Sequence, residues 1–215
     1  NTTGANNTAV GVAALQNNTT GTPNVAVGYQ ALYANTTGNY QTAVGAYAAD
    51  ACTTATKTCA FGYGALSALT TGSENIAIGF HAGVSLTTGN DNVIIGSNAM
   101  SNTGTDVYEN IAIGKNALAN CTSSQNTVVG GEGCGDNVTT GSECCFLGSF
   151  AGTSVTTGSG NTLIGPSAGA NITTSNYNTF VGKDTGNQCT TGLGLSVCLG
   201  YSAGKNQGNL DRQLA

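Results

Sequence analysis

The chain has 215 residues, a formal net charge of −5 and only 7% charged residues, so its five Lys and Arg suit neither a nucleic-acid backbone nor an anionic membrane surface. No apolar run approaches the roughly 20 residues that a membrane-spanning helix needs, and the regular spacing of Val and Ile argues against disorder. No signal peptide precedes Asn1, which stands inside a repeat, so we expect either a processed chain or a piece of a longer array.

A phrase related to Asn-x-Ala-Val-Gly recurs along the whole chain. Its glycines, called strand glycines below, are spaced by 16 to 18 residues. A unit of about 17 residues cannot bury a core alone and must stack on its neighbours as one coil of a solenoid. We therefore predict an all-β, single-domain parallel β-solenoid (a β-roll) of about twelve coils over residues 1–205, followed by a tail or cap at 206–215. The strand glycines are Gly11, Gly28, Gly45, Gly62, Gly79, Gly96, Gly114, Gly130, Gly148, Gly165, Gly182 and Gly200.

The first element of each coil is an asparagine column, four residues before the strand glycine. Asn occupies eight of these twelve positions. Stacked at the ~4.8 Å spacing of β-strands, the side chains are predicted to form a structural ladder of amides. The members are Asn7, Asn24, Asn75, Asn92, Asn110, Asn126, Asn161 and Asn178.

A short strand follows, and its three residues define two faces. The residues one and three before the glycine are apolar or β-branched, so we predict that they point into the core. The residue between them is Ala in the early coils and larger later, and we expect it to point outward. An outward apolar column is typical of an interface, although a cover from the same chain is the alternative. The interface candidates are Ile94, Val128, Phe146, Leu163 and Phe180.

The rest of the coil contains an Ala column three residues after the glycine, a Leu or Gly next to it, and a Thr-Thr-Gly corner. Small residues suit a place where two sheets approach, and the corner glycine suits a turn with positive φ. We expect two strands and two turns per coil. Twelve coils at ~4.8 Å each predict a rod roughly 55–60 Å long.

The cysteines favour disulfides and an oxidising compartment, because their number is even. We predict the pairs Cys52–Cys59 and Cys189–Cys198, each closing one corner loop, and pairing among the other four. Zinc ligation is a weak alternative, since there is no C-x-x-C motif and His81 is the only histidine. The cysteines are Cys52, Cys59, Cys121, Cys134, Cys144, Cys145, Cys189 and Cys198.

Asn-x-Ser/Thr sequons cluster near one corner of the coil, and in an extracellular chain they are candidate N-glycosylation sites. A repeat rich in Asn and Thr also generates sequons by composition alone, so occupancy stays open. The candidates are Asn1, Asn6, Asn17, Asn18, Asn35, Asn120, Asn137 and Asn171.

No arrangement of residues indicates catalysis. His81 has no Ser or Cys partner phrase and is predicted to be a solvated surface residue, and the acids are scattered without a calcium-loop pattern. Gly130–Gly133 is glycine-rich but lacks the Lys and helix of a phosphate-binding loop. We predict no enzyme activity, no catalytic residues, no cofactor and no metal.

Two phrases carry a family resemblance: Asn75-Ile76-Ala77-Ile78-Gly79 and Asn110-Ile111-Ala112-Ile113-Gly114. They resemble the repeats of YadA-like trimeric autotransporter heads, and the longer form, as in residues 24–38, is similar to repeats of tail-fibre-like and adhesin-like surface proteins. The resemblance covers about residues 1–205. It implies a left-handed parallel β-roll, a homotrimeric fibre and a structural or adhesive role at a surface. The eight cysteines and the many sequons depart from that family.

The repeat, the low charge and the expected apolar column predict an extracellular or surface-located fibre subunit or adhesin module. Its expected partner is itself, as a homotrimer or an end-to-end filament with an axial repeat near 55–60 Å, and N-linked glycans are possible additions. Nucleic acid and membrane insertion are not expected. The alternative is an ice-binding protein that uses a Thr ladder, although adjacent Thr residues of one strand face opposite ways.

Overall fold

A computed structural model describes residues 2–104, 106–187 and 194–204. The predictions on Asn1, on Cys189 and on the tail at 206–215 lie outside these residues. The described chain is all-β, and none of its segments is a helix long and apolar enough to cross a membrane.

One three-residue strand forms in each repeat, and it occupies the three positions before the strand glycine. The chain divides into two compact units, Asn1–Glu109 and Asn110–Ala215. The first unit contains β1 (Thr8–Val10), β2 (Val25–Val27), β3 (Thr42–Val44), β4 (Cys59–Phe61), β5 (Ile76–Ile78) and β6 (Val93–Ile95). The second contains β7 (Ile111–Ile113), β8 (Thr127–Val129), β9 (Cys145–Leu147), β10 (Thr162–Ile164), β11 (Thr179–Val181) and β12 (Val197–Leu199).

Within each unit, consecutive strands pair in parallel and in register. Thr8 lies beside Val25, for example, and Thr162 beside Thr179, so each residue meets its counterpart in the next repeat. This register confirms the predicted parallel β-solenoid with coils of about 17 residues. The handedness stays a prediction.

The predicted orientation of the strands is wrong. The middle residue points into the core, and the residues on either side of it face outward: Ala26 is fully buried, whereas Val25 is 37% exposed. Consequently the interface candidates Ile94, Val128, Phe146, Leu163 and Phe180 are core residues, with at most 1% of their surface exposed. The physical reason is the narrow interior of a thin solenoid, which accepts Ala in the early coils and leaves the bulky β-branched residues outside.

In several coils, a large residue in one core column is accompanied by a small residue in another. Ala26 shares its coil with Leu32, which is fully buried, whereas the larger Phe146 shares its coil with Gly152. A Cβ on Gly152 would lie 2.6 Å from Cε2 of Phe146, so the aromatic ring fills the space that a leucine occupies in other coils. Leu163 with Gly169 and Phe180 with Gly186 repeat the second arrangement.

The segment after each strand glycine consists of turns, so the predicted second strand of each coil does not form. Its conformation repeats from coil to coil, with left-handed residues two and four positions after the glycine, as at Gln30 (φ 56°) and Leu32 (φ 50°). Backbone hydrogen bonds still join neighbouring coils here, for example from Leu32 N to Ala48 O at 3.0 Å. The Ala column lies in the core, as the burial of Ala31 and Ala48 shows.

The strand glycines are required by their backbone. Eleven of the twelve have φ between 112° and 140°, a region that only glycine adopts readily. The corner glycines differ from the prediction, because Gly21 and Gly38 have no positive φ. Gly21 is required for steric reasons instead, since a Cβ there would lie 2.5 Å from Oδ1 of Asn18. Ala55 fills the equivalent place in the third coil, so this requirement is local.

The asparagine ladder is confirmed. Oδ1 of Asn75 accepts hydrogen bonds from the backbone N and from Nδ2 of Asn92, at 3.1 and 2.9 Å. Nδ2 of Asn75 donates to the carbonyl of Gly89 at 2.7 Å. Asn161 and Asn178 repeat this pattern in the second unit. Each buried amide therefore satisfies backbone groups of the coil that follows, which removes a large desolvation penalty.

Candidate assembly face and aromatic groove

Each unit presents one apolar sheet surface, which we call the outer face. It consists of the first and third residues of every strand, and no position in it is charged. The most exposed members are 37–57% exposed. In the first unit they are Val10, Val25, Phe61, Ile76 and Ile78, and in the second Ile111, Leu147 and Leu199.

The outer face is ordered as well as apolar. In-register pairing places the side chains in two straight columns at the ~4.8 Å spacing of the strands, and the backbone hydrogen bonds lie within the sheet. Parallel sheets are usually covered on both faces. An exposed one is suited to packing against another apolar or β-sheet surface.

The sequence interpretation missed an aromatic cluster in the first unit. Tyr29, Tyr47 and Tyr63 form successive edge-to-face contacts, with ring centroids 5.2 and 5.7 Å apart. Tyr63 stacks on Phe80 at 5.6 Å, and Phe80 stacks on His81 at 4.0 Å. These residues stand one or two positions after their strand glycines, so a comparison of coil positions for aromatic residues would have found them.

A groove of about 450 Å³ lies on this cluster. It is lined by Tyr47, Asp50, Tyr63, Gly64, Ser67, Ala68 and His81. Burial raises the pKa of the Asp50 carboxyl, and backbone amides of Asp50 and Ala51 oppose that rise. Oδ1 of Asp50 is buried and has no hydrogen-bond partner among the described residues. Burial also raises the pKa of Tyr47, with further contributions from its tyrosine neighbours and from Asp50.

The predicted disulfides are not formed, because all seven described cysteines carry free thiols. Cys52 points into the core and donates to Oε1 of Gln41 at 3.1 Å, whereas Cys59 starts a strand and belongs to the outer face, so the wall of the coil separates them. Cys198 is buried in the core with a free thiol, and its predicted partner Cys189 lies outside the described residues. Cys121, Cys134, Cys144 and Cys145 are likewise unpaired with one another.

Burial also determines which thiols can ionise. It raises the pKa of Cys52 and Cys134 to about 12 and that of Cys144 to about 11. Cys145 is exposed on the outer face. Reagents in solvent therefore reach the Cys145 thiol more readily than the buried thiols of Cys52, Cys134 and Cys144.

Two of the predicted glycosylation sites are wrong. Asn18 and Asn35 are 2% and 0% exposed, and Nδ2 of Asn35 donates to Oδ1 of Asn18 at 2.9 Å, so neither amide can carry a glycan. The position seven residues after the strand glycine points into the core, where Cys52 is also buried. The exposed candidates are Asn6, Asn17, Asn137 and Asn171, Asn120 is half-buried, and Asn1 lies outside the described residues.

The Thr-Thr corner forms two different columns. The first Thr uses its hydroxyl within the stack: Oγ1 of Thr19 donates to the carbonyl of Thr36, and Oγ1 of Thr139 to that of Thr156. The second Thr is exposed in coil after coil. Its described members include Thr3, Thr20, Thr37, Thr54, Thr71, Thr88, Thr140, Thr157 and Thr174.

The remaining candidate residues do not come together. His81 is half-buried against Phe80 rather than fully solvated. Glu74 and Glu132 form exposed ion pairs with Lys57 and Lys115 at 2.8 and 2.7 Å. Over the described ranges, no group of three or more His, Cys, Asp or Glu side chains could hold a metal ion.

Comparisons with protein-family models, with curated proteins and with solved structures give no match to this chain. The observed repetitive parallel solenoid is consistent with a β-roll repeat. Any closer relationship to the surface-adhesin heads belongs to the proposal below.

Proposed function

We propose that this chain is a structural module of an extracellular fibre or surface adhesin, and that it assembles by packing its outer faces against other copies. The observation that supports this most directly is the pair of uncharged β-branched columns on the outside of every strand. Contiguous exposed apolar patches often mark interaction sites.

The outer face of one unit supplies part of a standard interface. Six strands at ~4.8 Å extend for about 29 Å, and three residues of strand span about 10 Å, which gives about 300 Å² for each unit. A standard protein interface buries about 800 Å² per partner, so further contacts must join it. The exposed aromatic residues beside the sheet, Tyr29, Tyr63 and Phe80, are the natural extension of the contact.

The chemistry of the face favours a like surface as partner. It offers shape and apolar contact but no charge, so nucleic acid and acidic lipid have nothing to pair with there. A second copy presents the same flat columns at the same spacing, and a closed ring of such contacts gives a cyclic oligomer such as the homotrimer implied by the family resemblance. The surface location and the end-to-end filament are parts of the proposal that rest on the sequence.

Charge substitutions on the outer face test this proposal. Ile76→Lys with Ile78→Lys places two cations in the face of the first unit, at side chains that are 40% and 39% exposed. We expect sedimentation and electron microscopy to show oligomers for the parent chain and monomers for this variant, with an unchanged circular dichroism spectrum. The proposal is wrong if the parent chain is strictly monomeric at high concentration.

The matched control carries the same added charge elsewhere. Tyr40 and Tyr177 are exposed, left-handed residues five positions before their strand glycines, a place where Lys57 occurs naturally. Tyr40→Lys with Tyr177→Lys should leave assembly intact. Equal dissociation of both double variants would mean that net charge, and not the outer face, controls assembly.

The exposed second-threonine column supports ice binding as a second candidate. Its hydroxyl and methyl groups repeat at the ~4.8 Å strand spacing along each unit. It is a single row, because the neighbouring first threonines donate their hydroxyls to the stack. Thermal hysteresis of the purified chain, and its loss in Thr37→Lys with Thr54→Lys, would support this function. Freezing behaviour equal to that of an inert protein would exclude it.

A further inference from the structure

The groove on the aromatic cluster is shaped by one missing side chain. Tyr47, Gly64 and His81 occupy the same place in three successive coils, all with left-handed backbone, at φ 57°, 61° and 53°. A Cβ at Gly64 would lie 2.7 Å from Cδ2 of His81, so the imidazole ring covers Gly64 and forms one wall of the groove. Tyr47 and Tyr63 provide the other rings of its lining.

The groove carries a single acidic group. Asp50 lines it together with the hydroxyl-bearing Ser67, and no Lys or Arg is among the lining residues. One carboxylate oxygen of Asp50 is buried without a hydrogen-bond partner. Backbone amides of Asp50 and Ala51 offset only part of the cost of burying this half-buried carboxylate, so a positive charge placed in the groove would be favoured.

We propose that this groove binds an organic ammonium cation, held beside the rings of Tyr47, Tyr63 and His81 and neutralised by Asp50. Cations bind to the electron-rich faces of tyrosine rings, and aromatic sites next to a carboxylate recognise quaternary ammonium groups. The acidic balance of the whole chain, with ten Asp and Glu against five Lys and Arg, also attracts cations.

Other ligand classes fit less well. An anion would meet the Asp50 carboxylate without any cationic partner in the lining. A neutral sugar could stack on one ring, but it would leave the buried negative charge without compensation. An ammonium group uses both the rings and the carboxylate, which makes it the single class that accounts for both features.

Choline and its neutral isostere 3,3-dimethylbutan-1-ol are the discriminating probes. They differ in the charge of the central atom and share nearly the same shape. In a nuclear magnetic resonance titration of the full chain, we expect choline to shift the signals of Gly64, Tyr63 and His81 and to bind at least tenfold more tightly than the isostere. Equal binding of the two probes, no binding of choline, or preferential binding of methyl β-glucoside would overturn the proposal.

Two substitutions test the geometry. Asp50→Asn should weaken choline binding at least tenfold, and Gly64→Asn should abolish it, because the added side chain displaces the His81 ring that covers Gly64. Asn is compatible with this backbone, because Asn98 and Asn116 hold the same place with φ of 56° and 57°. The matched control is Gly133→Asn, the equivalent glycine of the second unit, with φ 70°.

The control should bind choline as the parent chain does, and circular dichroism should be unchanged in all three variants. Unchanged choline binding in Gly64→Asn or in Asp50→Asn would refute the assigned site. The outer-face variant Ile76→Lys with Ile78→Lys leaves every lining residue in place, so choline binding by this variant tests the groove separately from assembly, in which Tyr63 also takes part.

Discussion

Exchanging the side-chain sizes of Phe146 and Gly152 tests whether these two core positions of one coil are packed as a pair. Phe146→Ala removes about six carbon atoms from a side chain that is 1% exposed, and such truncations lower the free energy of unfolding by about 3–5 kcal/mol. Gly152→Leu alone adds about four carbons against the Phe146 ring, which would stand 2.6 Å from the new Cβ, and overpacking costs about 1–3 kcal/mol.

The double variant recreates the arrangement of the early coils, where an Ala such as Ala26 faces Leu32. It lacks about two carbons relative to the parent, worth about 1.6 kcal/mol at ~0.8 kcal/mol each. A leucine with left-handed backbone at position 152 adds about 1–2 kcal/mol to this loss of stability. Leu32 already adopts that backbone conformation, at φ 50°. We therefore expect a total loss of about 3 kcal/mol, compared with about 5–10 kcal/mol if the single losses and the backbone cost simply added.

Equilibrium urea unfolding, followed by circular dichroism, measures these differences and the coupling between the two sites. The matched control combines Phe146→Ala with Gly186→Leu, whose own partner is Phe180 in another coil. That pair should be additive. If Phe146→Ala with Gly152→Leu were also additive within about 0.5 kcal/mol, or if the mismatched pair rescued as well, the pairwise reasoning would be refuted.

Three further predictions concern single features. Asn75→Ala leaves the backbone N of Asn92 and the carbonyl of Gly89 without their side-chain partner, so urea unfolding should show a loss of about 2–4 kcal/mol, against a negligible loss for the exposed Asn17→Ala. Because the pKa of Cys52 and of Cys134 is raised to about 12 by burial, the unfolded chain loses thiol protons first, so stability should fall as the pH rises from about 9 to about 12; a stability that rises over that range would contradict the assignment. Iodoacetamide at pH 8 should label Cys145 in the native chain and spare Cys52 until denaturant is added, as peptide mass spectrometry would show, and early labelling of Cys52 would disprove its burial.

The strand positions could be predicted from the sequence because the repeat supplies twelve independent readings of one coil. A β-branched triplet before a glycine predicts a strand, and stacking identical coils requires parallel pairing, so both the strand bounds and the register followed. The asparagine ladder was predictable for the same reason. A buried amide repeated at constant spacing, as at Asn75 and Asn92, has few other roles.

The faces of the strand could not be assigned from hydrophobicity, because both faces are apolar. In β5, Ile76 and Ile78 are more hydrophobic than Ala77, and yet Ala77 is the buried residue. The decisive information was the size relation between columns, in which Phe146, Leu163 and Phe180 each accompany a glycine six residues later. The other errors follow from the turns that close each coil, because these turns point Asn18, Asn35 and Cys52 into the core. The two asparagines are therefore inaccessible to glycans, and Cys52 is kept away from Cys59.

The inversion of the faces strengthens the connection between fold and assembly. If the middle residues had faced outward, the early coils would have offered only a weak alanine surface, and an interface would have been confined to the coils with large residues. With the middle residues inside, every coil contributes two β-branched or otherwise uncharged side chains to the outer face, whether its core contains Ala26 with Leu32 or Phe146 with Gly152. The core can therefore vary in sequence while the outer face keeps its spacing, so an assembly that depends on that face is insensitive to how each coil fills its interior.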